Sequence, residues 1–167
     1  MRELIKKYGL VLAIALILLA GVLLIKSFRK STVDHVSGDP TLAFYIDEAN
    51  GEETVRSVNE NPPLAGKDGK PTVVRAIKYT CDDGTPPKVL YYFKYTDEVA
   101  KELNTLSPTD AAAVIRRTQI MPKGEMVRSP ATGSQWLLTS TPEGDALRAY
   151  PQCPNGKTAK LVFPQKR

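Results

Sequence analysis

One run of seventeen residues, Gly9–Ile25, constrains this chain more than any other stretch, because it holds no charge and no strong hydrogen-bonding side chain. In hydrocarbon every backbone amide must bond within its own segment, so such a run crosses a bilayer as a helix. Crossing takes roughly 17–25 apolar residues. Tyr8 and Phe28 flank the run, where interfacial aromatic residues are found. The sequence therefore predicts one transmembrane helix that carries everything after it.

Three other interpretations of this run stay open. It is long for the apolar region of a cleaved signal peptide, which takes roughly 7–15 residues. It is apolar on every side, which suits a core helix only inside a large domain. The segment Lys6–Gly9 followed by an apolar helix resembles a prepilin leader. That resemblance implies a pilin-like assembly subunit processed after Gly9, although Ile14 stands where pilins usually carry Glu.

The N-terminal segment is positively charged, whereas the rest of the chain has no net charge. Residues 1–30 hold six Lys or Arg against one Glu, whereas residues 31–167 hold 17 basic and 17 acidic residues. A nucleic-acid surface needs clustered positive charge, so we expect no nucleic-acid partner. The basic flanks instead favour contact with membrane lipid through the N-terminal helix.

The chain divides into an anchor at 1–30, a polar juxtamembrane linker at 31–40 and one domain at 41–167 that is large enough for its own core. All 13 prolines lie at or after Pro40, which favours short elements. We expect an α+β fold of short antiparallel strands with two or three short helices. A short N-terminal tail favours a cytoplasmic N terminus, and two cysteines favour a periplasmic or other extracytoplasmic domain on the bacterial inner membrane.

Alternating apolar and β-branched segments bounded by turn residues predict the strands. The first hairpin joins Leu42–Ile46 to Thr54–Val58 through Asn50-Gly51, a common turn pair. A second hairpin joins Thr72–Thr80 to Lys88–Tyr95. Shorter strands are expected at Met126–Arg128, Gln135–Thr139 and Lys157–Phe163.

Capping residues predict the helices. Thr96 suits the N-cap of a helix over Asp97–Leu106, whose first turn is acidic. Ser107-Pro108 suits the start of a second helix that runs to about Gln119. Thr141 opens a short helical turn that runs to about Ala149.

An internal repeat places the two cysteines in equivalent turns. Cys81 and Cys153 each begin the pattern C-x-x-G-x-x-x-K followed by two aliphatic residues. The segment Cys153–Lys157, C-P-N-G-K, resembles a zinc-ribbon knuckle, C-P-x-C-G-K, that has lost its second cysteine. The resemblance implies a knuckle-like β-turn and not a metal. The layout as a whole is similar to that of small bacterial membrane-anchored proteins.

Three states of Cys81 and Cys153 stay open: a disulfide, two free buried thiols, and a zinc site shared between two copies. A disulfide is favoured because equivalent turns outside the cytoplasm would be oxidised. Closing a loop of this length stabilises a fold by roughly 4 kcal/mol in the chain-entropy model. A structural zinc site needs four ligands, and two cysteines with one distant histidine, His35, cannot supply them within one chain.

The sequence contains no G-x-S-x-G, Walker, G-x-G-x-x-G or C-x-x-C motif, and it has a single histidine. We therefore expect no enzyme, and we assign no catalytic, cofactor-binding or metal-ligating residue. The interpretation is a single-pass membrane protein that displays a non-catalytic interaction or accessory domain. Its expected partner is another envelope protein, and the candidate contacts are aromatic: Tyr91, Tyr92, Tyr95 and Trp136.

Overall fold

The computed structural model of the protein describes residues 38–81, 84–107 and 109–166. These residues belong to one compact unit that runs from His35 to Arg167. No helix within the described ranges is both long enough and apolar enough to cross a membrane. The predicted anchor Gly9–Ile25 and most of the predicted linker lie outside those ranges.

Among the described residues, four strands precede two helices, and three further strands and a short helix follow, which confirms the predicted α+β class. The strands are β1 (Leu42–Asp47), β2 (Glu53–Ser57), β3 (Val73–Thr80), β4 (Lys88–Tyr95), β5 (Glu125–Arg128), β6 (Leu137–Leu138) and β7 (Lys160–Val162). The helices are α1 (Asp97–Thr105), α2 (Ala111–Gly124) and α3 (Pro142–Ala146).

The strands form one antiparallel sheet in the order β2-β1-β3-β4-β5-β6, with β7 paired to β3. β4 occupies one edge of β3, while β1 and β7 share the other. β1 lies opposite Val73–Ala76, and β7 lies opposite Lys78–Thr80. The chain enters beside β7, because the Asp39 amide donates to the Pro164 carbonyl at 2.8 Å. The two ends of the described domain are therefore hydrogen-bonded to each other.

One face of the sheet carries two separate apolar clusters. The first lies under α1 and α2 and consists of Tyr95, Ala100, Leu103 and Ile120 with Phe93, Val99, Leu106 and Met121 around them. The second lies at β1 and consists of Ala43, Tyr45 and Val73 with Val58 and Leu64. Phe93 and Tyr45 are both in register with Arg75 of β3, so all three side chains share this face.

Arg75 joins the two clusters. Its guanidinium carbon lies 5.5 Å from the ring centroid of Tyr45 and 5.5 Å from that of Phe93. Its Nη2 donates to three acceptors: the Tyr45 hydroxyl at 3.0 Å, the Val58 carbonyl at 2.6 Å and the Glu60 carbonyl at 2.8 Å. One cation thus connects the sheet to the loop that follows β2.

The helices begin where capping side chains satisfy their first amides. Thr96 accepts from the Val99 amide and starts α1, as predicted. Asp110 accepts from the Ala113 amide at 2.8 Å, so α2 begins at Ala111 and not at Ser107. Residue 108 lies outside the described ranges.

The second helix also ends later than the sequence predicts, at Gly124 instead of about Gln119. Pro122 lies in its last turn, where a proline lacks an amide to donate. Tertiary contacts hold this turn in place. The Thr96 amide donates to the Gly124 carbonyl at 2.9 Å. A Cβ at Gly124 would lie 2.5 Å from a Val99 methyl, so the helix end packs closely against the start of α1.

We expect Leu103→Ala to lower the free energy of unfolding of residues 35–167 by about 2–5 kcal/mol, because it empties a site that is 1% exposed in the cluster under the helices. Urea denaturation followed by circular dichroism measures the change. Ile115→Ala is the control, since Ile115 is 60% exposed on α2 and its truncation should change stability by less than about 0.5 kcal/mol. Equal effects of the two substitutions would contradict the assigned core.

Candidate functional site

The four aromatic residues that the sequence offers as partner contacts divide between different environments. Tyr95 lies in the apolar cluster under the helices, is 4% exposed, and packs edge to face on Phe93 with ring centroids 5.0 Å apart. Burial raises the pKa of its hydroxyl to about 12. Tyr95 is therefore part of the core that supports the sheet.

Tyr91 follows the same alternation as Phe93 and Tyr95 along β4, and it is half-buried. Burial raises the pKa of its hydroxyl, and the nearby Arg148 cation opposes that shift. Tyr91 also lines a cavity at the edge of β3. It thus belongs to a different region from Tyr92, its neighbour in the chain.

Tyr92 and Trp136 are the two candidates that the fold brings together, and they meet around Arg128. The Arg128 guanidinium lies 5.1 Å from the Tyr92 ring centroid and 4.9 Å from that of Trp136. The Lys94 ammonium lies 4.8 Å from the Trp136 ring. Together these residues form an aromatic–cation cluster, which consists of Tyr92, Lys94, Arg128 and Trp136. All four side chains are partly exposed.

Strand pairing builds the aromatic–cation cluster. Tyr92 of β4 lies opposite Arg128 of β5, so their side chains share a face, and Lys94 is two residues further along β4 on that same face. Arg128 also forms a 2.5 Å ion pair with Glu48, in the turn after β1. This pair fixes the guanidinium over the two rings.

The cluster has the chemistry of a binding surface. Trp, Tyr and Arg are the residues that most often dominate the energy of protein–protein interfaces. A cation over an aromatic ring contributes about 0.5–1 kcal/mol where it is exposed and more where water is excluded. Sequence alternation indicates that Tyr92 and Lys94 share a face. Arg128 was missed because the β4–β5 pairing spans both helices, and no local pattern reports it.

The two cysteines are brought together, with their Cα atoms 5.6 Å apart and their sulfurs at bonding distance, 72 residues apart in the sequence. Cys81 directly follows β3, and Cys153 is buried ahead of β7. The Asn155 side chain donates to the Cys81 carbonyl at 3.2 Å and ties the two turns. Within the described ranges no group of three His, Cys, Asp or Glu is placed to hold a metal ion.

The repeat in the sequence corresponds to a shared turn feature. Gly84 and Gly156, the glycines of the two C-x-x-G patterns, adopt φ values of 79° and 72°. This left-handed conformation suits glycine, because other residues meet a steric penalty there. Residues 82 and 83 lie outside the described ranges.

Asp47, at the end of β1, is the buried carboxylate of the described residues. It accepts from the Thr72 hydroxyl at 2.6 Å and the Ala49 amide at 3.0 Å. The Thr72 hydrogen bond, followed by the Ala49 amide, lowers the pKa of Asp47. A general acid at neutral pH needs the opposite shift. Asp47 instead fastens the first hairpin turn to the segment before β3.

Comparison with known proteins gives no relative from which a role could be transferred. No protein-family model matches the chain, and no significantly similar curated protein or solved structure was found.

The pKa of Asp47 gives a test of this local network. We expect Thr72→Val, which keeps the side-chain shape and removes the donor, to raise the pKa of Asp47 toward the ordinary value of about 3.9. Carboxyl carbon NMR during a pH titration measures it. Because the native pKa is depressed, the ionised carboxylate stabilises the fold above the unfolded pKa, and this contribution disappears as the pH falls through the native value.

Asp47→Asn tests the same linkage through stability. The wild-type protein should exceed this variant in free energy of unfolding at pH 7, and the difference should shrink below about pH 4. A difference that is constant, or that grows as the pH falls, would contradict the assigned role.

Proposed function

We propose that this chain is a single-pass protein of a bacterial inner membrane that displays a non-catalytic α+β domain outside the cytoplasm and binds another envelope protein there. The observation that carries the proposal is the aromatic–cation cluster of Tyr92, Lys94, Arg128 and Trp136. Three of its four residues are of the types that dominate protein–protein interfaces. The cluster is supported by the paired strands β4 and β5 and by the Glu48 ion pair, so it is held in place before binding.

The anchor part of the proposal rests on the seventeen apolar residues Gly9–Ile25. A tether confines the domain to a thin layer beside the bilayer, which raises its effective concentration toward any partner in the same membrane. A weak surface contact is then sufficient for association. The pairing of Cys81 with Cys153 supports an oxidising location for the domain, because structural disulfides persist outside the reducing cytoplasm.

The titratable groups support a binding role over catalysis. Where the pKa of a described carboxylate is shifted, at Asp39 and Asp47, hydrogen bonds from nearby hydroxyl and amide groups lower it. Where the pKa of a described tyrosine is shifted, burial raises it. These shifts move the groups away from neutrality, whereas catalytic acids and bases are usually tuned toward it.

Thiol labelling of intact cells tests both the location and the cysteine state. With a membrane-impermeant maleimide and an outer membrane made permeable, we expect no label before reduction and labelling of Cys81, the more exposed of the two cysteines, after an impermeant phosphine reductant. The double variant Cys81→Ser/Cys153→Ser is the background control. Label without reductant would contradict the disulfide, and label only after cell lysis would contradict the outside location.

Cleavage after Gly9, read by N-terminal sequencing, would favour the pilin-like alternative.

Photo-crosslinking tests the partner surface. A benzophenone side chain placed at the exposed position Gln135, beside Trp136, should give one discrete adduct with a membrane-associated protein in living cells. We expect Trp136→Ala to reduce the adduct at least tenfold, as for a binding hot spot of about 2 kcal/mol. The same probe at Gln119, exposed on α2, is the matched control and should give no such adduct. An adduct that is unchanged by Trp136→Ala would contradict the proposed contact.

A further inference from the structure

One end of the sheet is formed by β2, which pairs with β1 on one side and with no other strand of the described ranges on its other side. An unpaired edge of this kind is a template for another strand unless a proline, a bulge or a covering segment blocks it. The sequence of β2 contains no proline, and its register with β1 contains no bulge. Val55, in the middle of β2, is 50% exposed. The edge therefore has the features of a pairing surface.

Hydrogen bonds at the two ends of β2 show which of its backbone groups face outward. The Asp47 amide donates to the Glu52 carbonyl at one end, and the Val58 amide donates to the Thr41 carbonyl at the other, each at 2.9 Å. In an antiparallel pair, bonded positions recur at every second residue, so the even-numbered residues of β2 are bonded to β1. The odd-numbered residues direct their amides and carbonyls away from the sheet: Glu53, Val55 and Ser57.

Only part of this outward-facing backbone is already in use. The Ser57 carbonyl accepts from the Glu60 amide at 3.2 Å and from the Tyr45 hydroxyl at 3.0 Å. No hydrogen bond within the described ranges uses the amide or the carbonyl of Glu53 or Val55. These two residues therefore each offer a donor and an acceptor to an incoming strand.

The free groups select one register for the pairing of β2 with itself. Two copies related by a two-fold axis place this strand antiparallel to its own copy. With Glu53 opposite Val55 of the second copy, both residue pairs about the axis can form two main-chain hydrogen bonds each. Pairing Val55 with itself would instead require the Ser57 carbonyl, which is already in use. Pairing Glu53 with itself would place two carboxylates side by side.

The same register brings opposite charges together, because Glu52 then lies opposite Arg56 of the second copy, and Arg56 opposite its Glu52. Within one copy Glu52 already pairs with Lys67, and Arg56 pairs with Glu60 at 3.6 Å. The four side chains thus form a row of alternating sign that crosses the junction, once on each side of the axis. Ion pairs connected in this way contribute more than isolated surface pairs do.

We propose that two copies of this chain associate through β2, in an antiparallel pairing centred on Thr54 that continues the sheet of one copy into the other. The contact is short, and confinement of both copies to one membrane would favour it by raising their effective concentration. The aromatic–cation cluster lies on β4 and β5, so this association leaves it open. The pairing goes beyond the proposed partner binding and does not depend on it.

Energy transfer between dyes measures the association. The full chain is reconstituted in liposomes of phosphatidylethanolamine and phosphatidylglycerol, with a donor dye or an acceptor dye attached enzymatically at the C terminus. Transfer should exceed the value for randomly placed chains at the same protein-to-lipid ratio, and added unlabelled chain should lower it. Transfer at the random level would overturn the self-pairing and leave this edge to a strand of a different protein.

Val55→Pro removes an outward amide that donates to no acceptor within the described domain, so it should leave the fold intact and reduce transfer to the level of unpaired domains. Val55→Thr is the matched control, because it keeps the amide and the β-branched shape, and it should keep wild-type transfer. Circular dichroism reports the folding of each variant. Wild-type transfer in folded Val55→Pro would overturn the proposal.

Charge reversal tests the register without removing a backbone donor. Arg56→Glu and Glu52→Arg each place like charges opposite one another on both sides of the axis, so each should weaken association at least threefold. The double variant Glu52→Arg/Arg56→Glu restores attraction between copies, although not the pairs with Lys67 and Glu60 within each copy. Recovery of transfer in the double variant therefore supports pairing between copies, and its absence in a folded double variant would overturn it.

Discussion

The arrangement of the whole domain depends on which strands pair with the two edges of β3. One edge is filled by β4, and the other is divided between β1 and β7, which come from opposite ends of the domain. Two further links fasten this closure. Cys81, directly after β3, lies at disulfide distance from Cys153, ahead of β7, and the Asp39 amide bonds to the Pro164 carbonyl. Because non-local pairings cost loop-closure entropy, each link makes the others less costly to form.

Arg75 is a cation that lies between the two apolar clusters on one face of the sheet. A charged residue in the middle of a central strand would ordinarily be replaced by an apolar one, because desolvating a cation is costly. Here the guanidinium lies between the rings of Tyr45 and Phe93 and holds the carbonyls of the loop after β2. It thereby connects two apolar clusters that do not merge. The same hydrogen bonds place the charge of Arg75 against uncharged acceptors, so this cation serves to hold the core together.

Local signals in the sequence predict where most helices and strands lie, but they do not predict how these elements pack against one another. Thr96 predicts the start of α1 because an N-cap hydrogen bond is formed within four residues. The turn of the first hairpin is equally local, since Gly51 supplies the left-handed conformation at φ 75°. The end of α2 was placed too early because the bond that holds it comes from Thr96, more than twenty residues away in the chain.

The candidate site was predictable only in part, for a related reason. Alternation along β4 indicates that Tyr91 and Tyr95 share one face and that Tyr92 belongs to the other. It does not indicate which face the helices will cover, so buried Tyr95 was grouped with partly exposed Tyr92. The cysteine pairing was accessible because a repeated pattern placed both residues in like turns. Arg128 and the role of Arg75 depend on pairings between distant segments, and neither has a local signal.

Strand alternation also separates the aromatic–cation cluster from the core under the helices. Phe93 and Tyr95 belong to that core, while Tyr92 and Lys94, their neighbours along β4, belong to the aromatic–cation cluster. Adjacent residues on a strand point to opposite faces, so a side chain can be truncated on one face without removing contacts on the other. Substitutions separated in this way tend to act additively when they share no partner. Substitutions in the aromatic–cation cluster can thus be tested without emptying the core on the opposite face of β4.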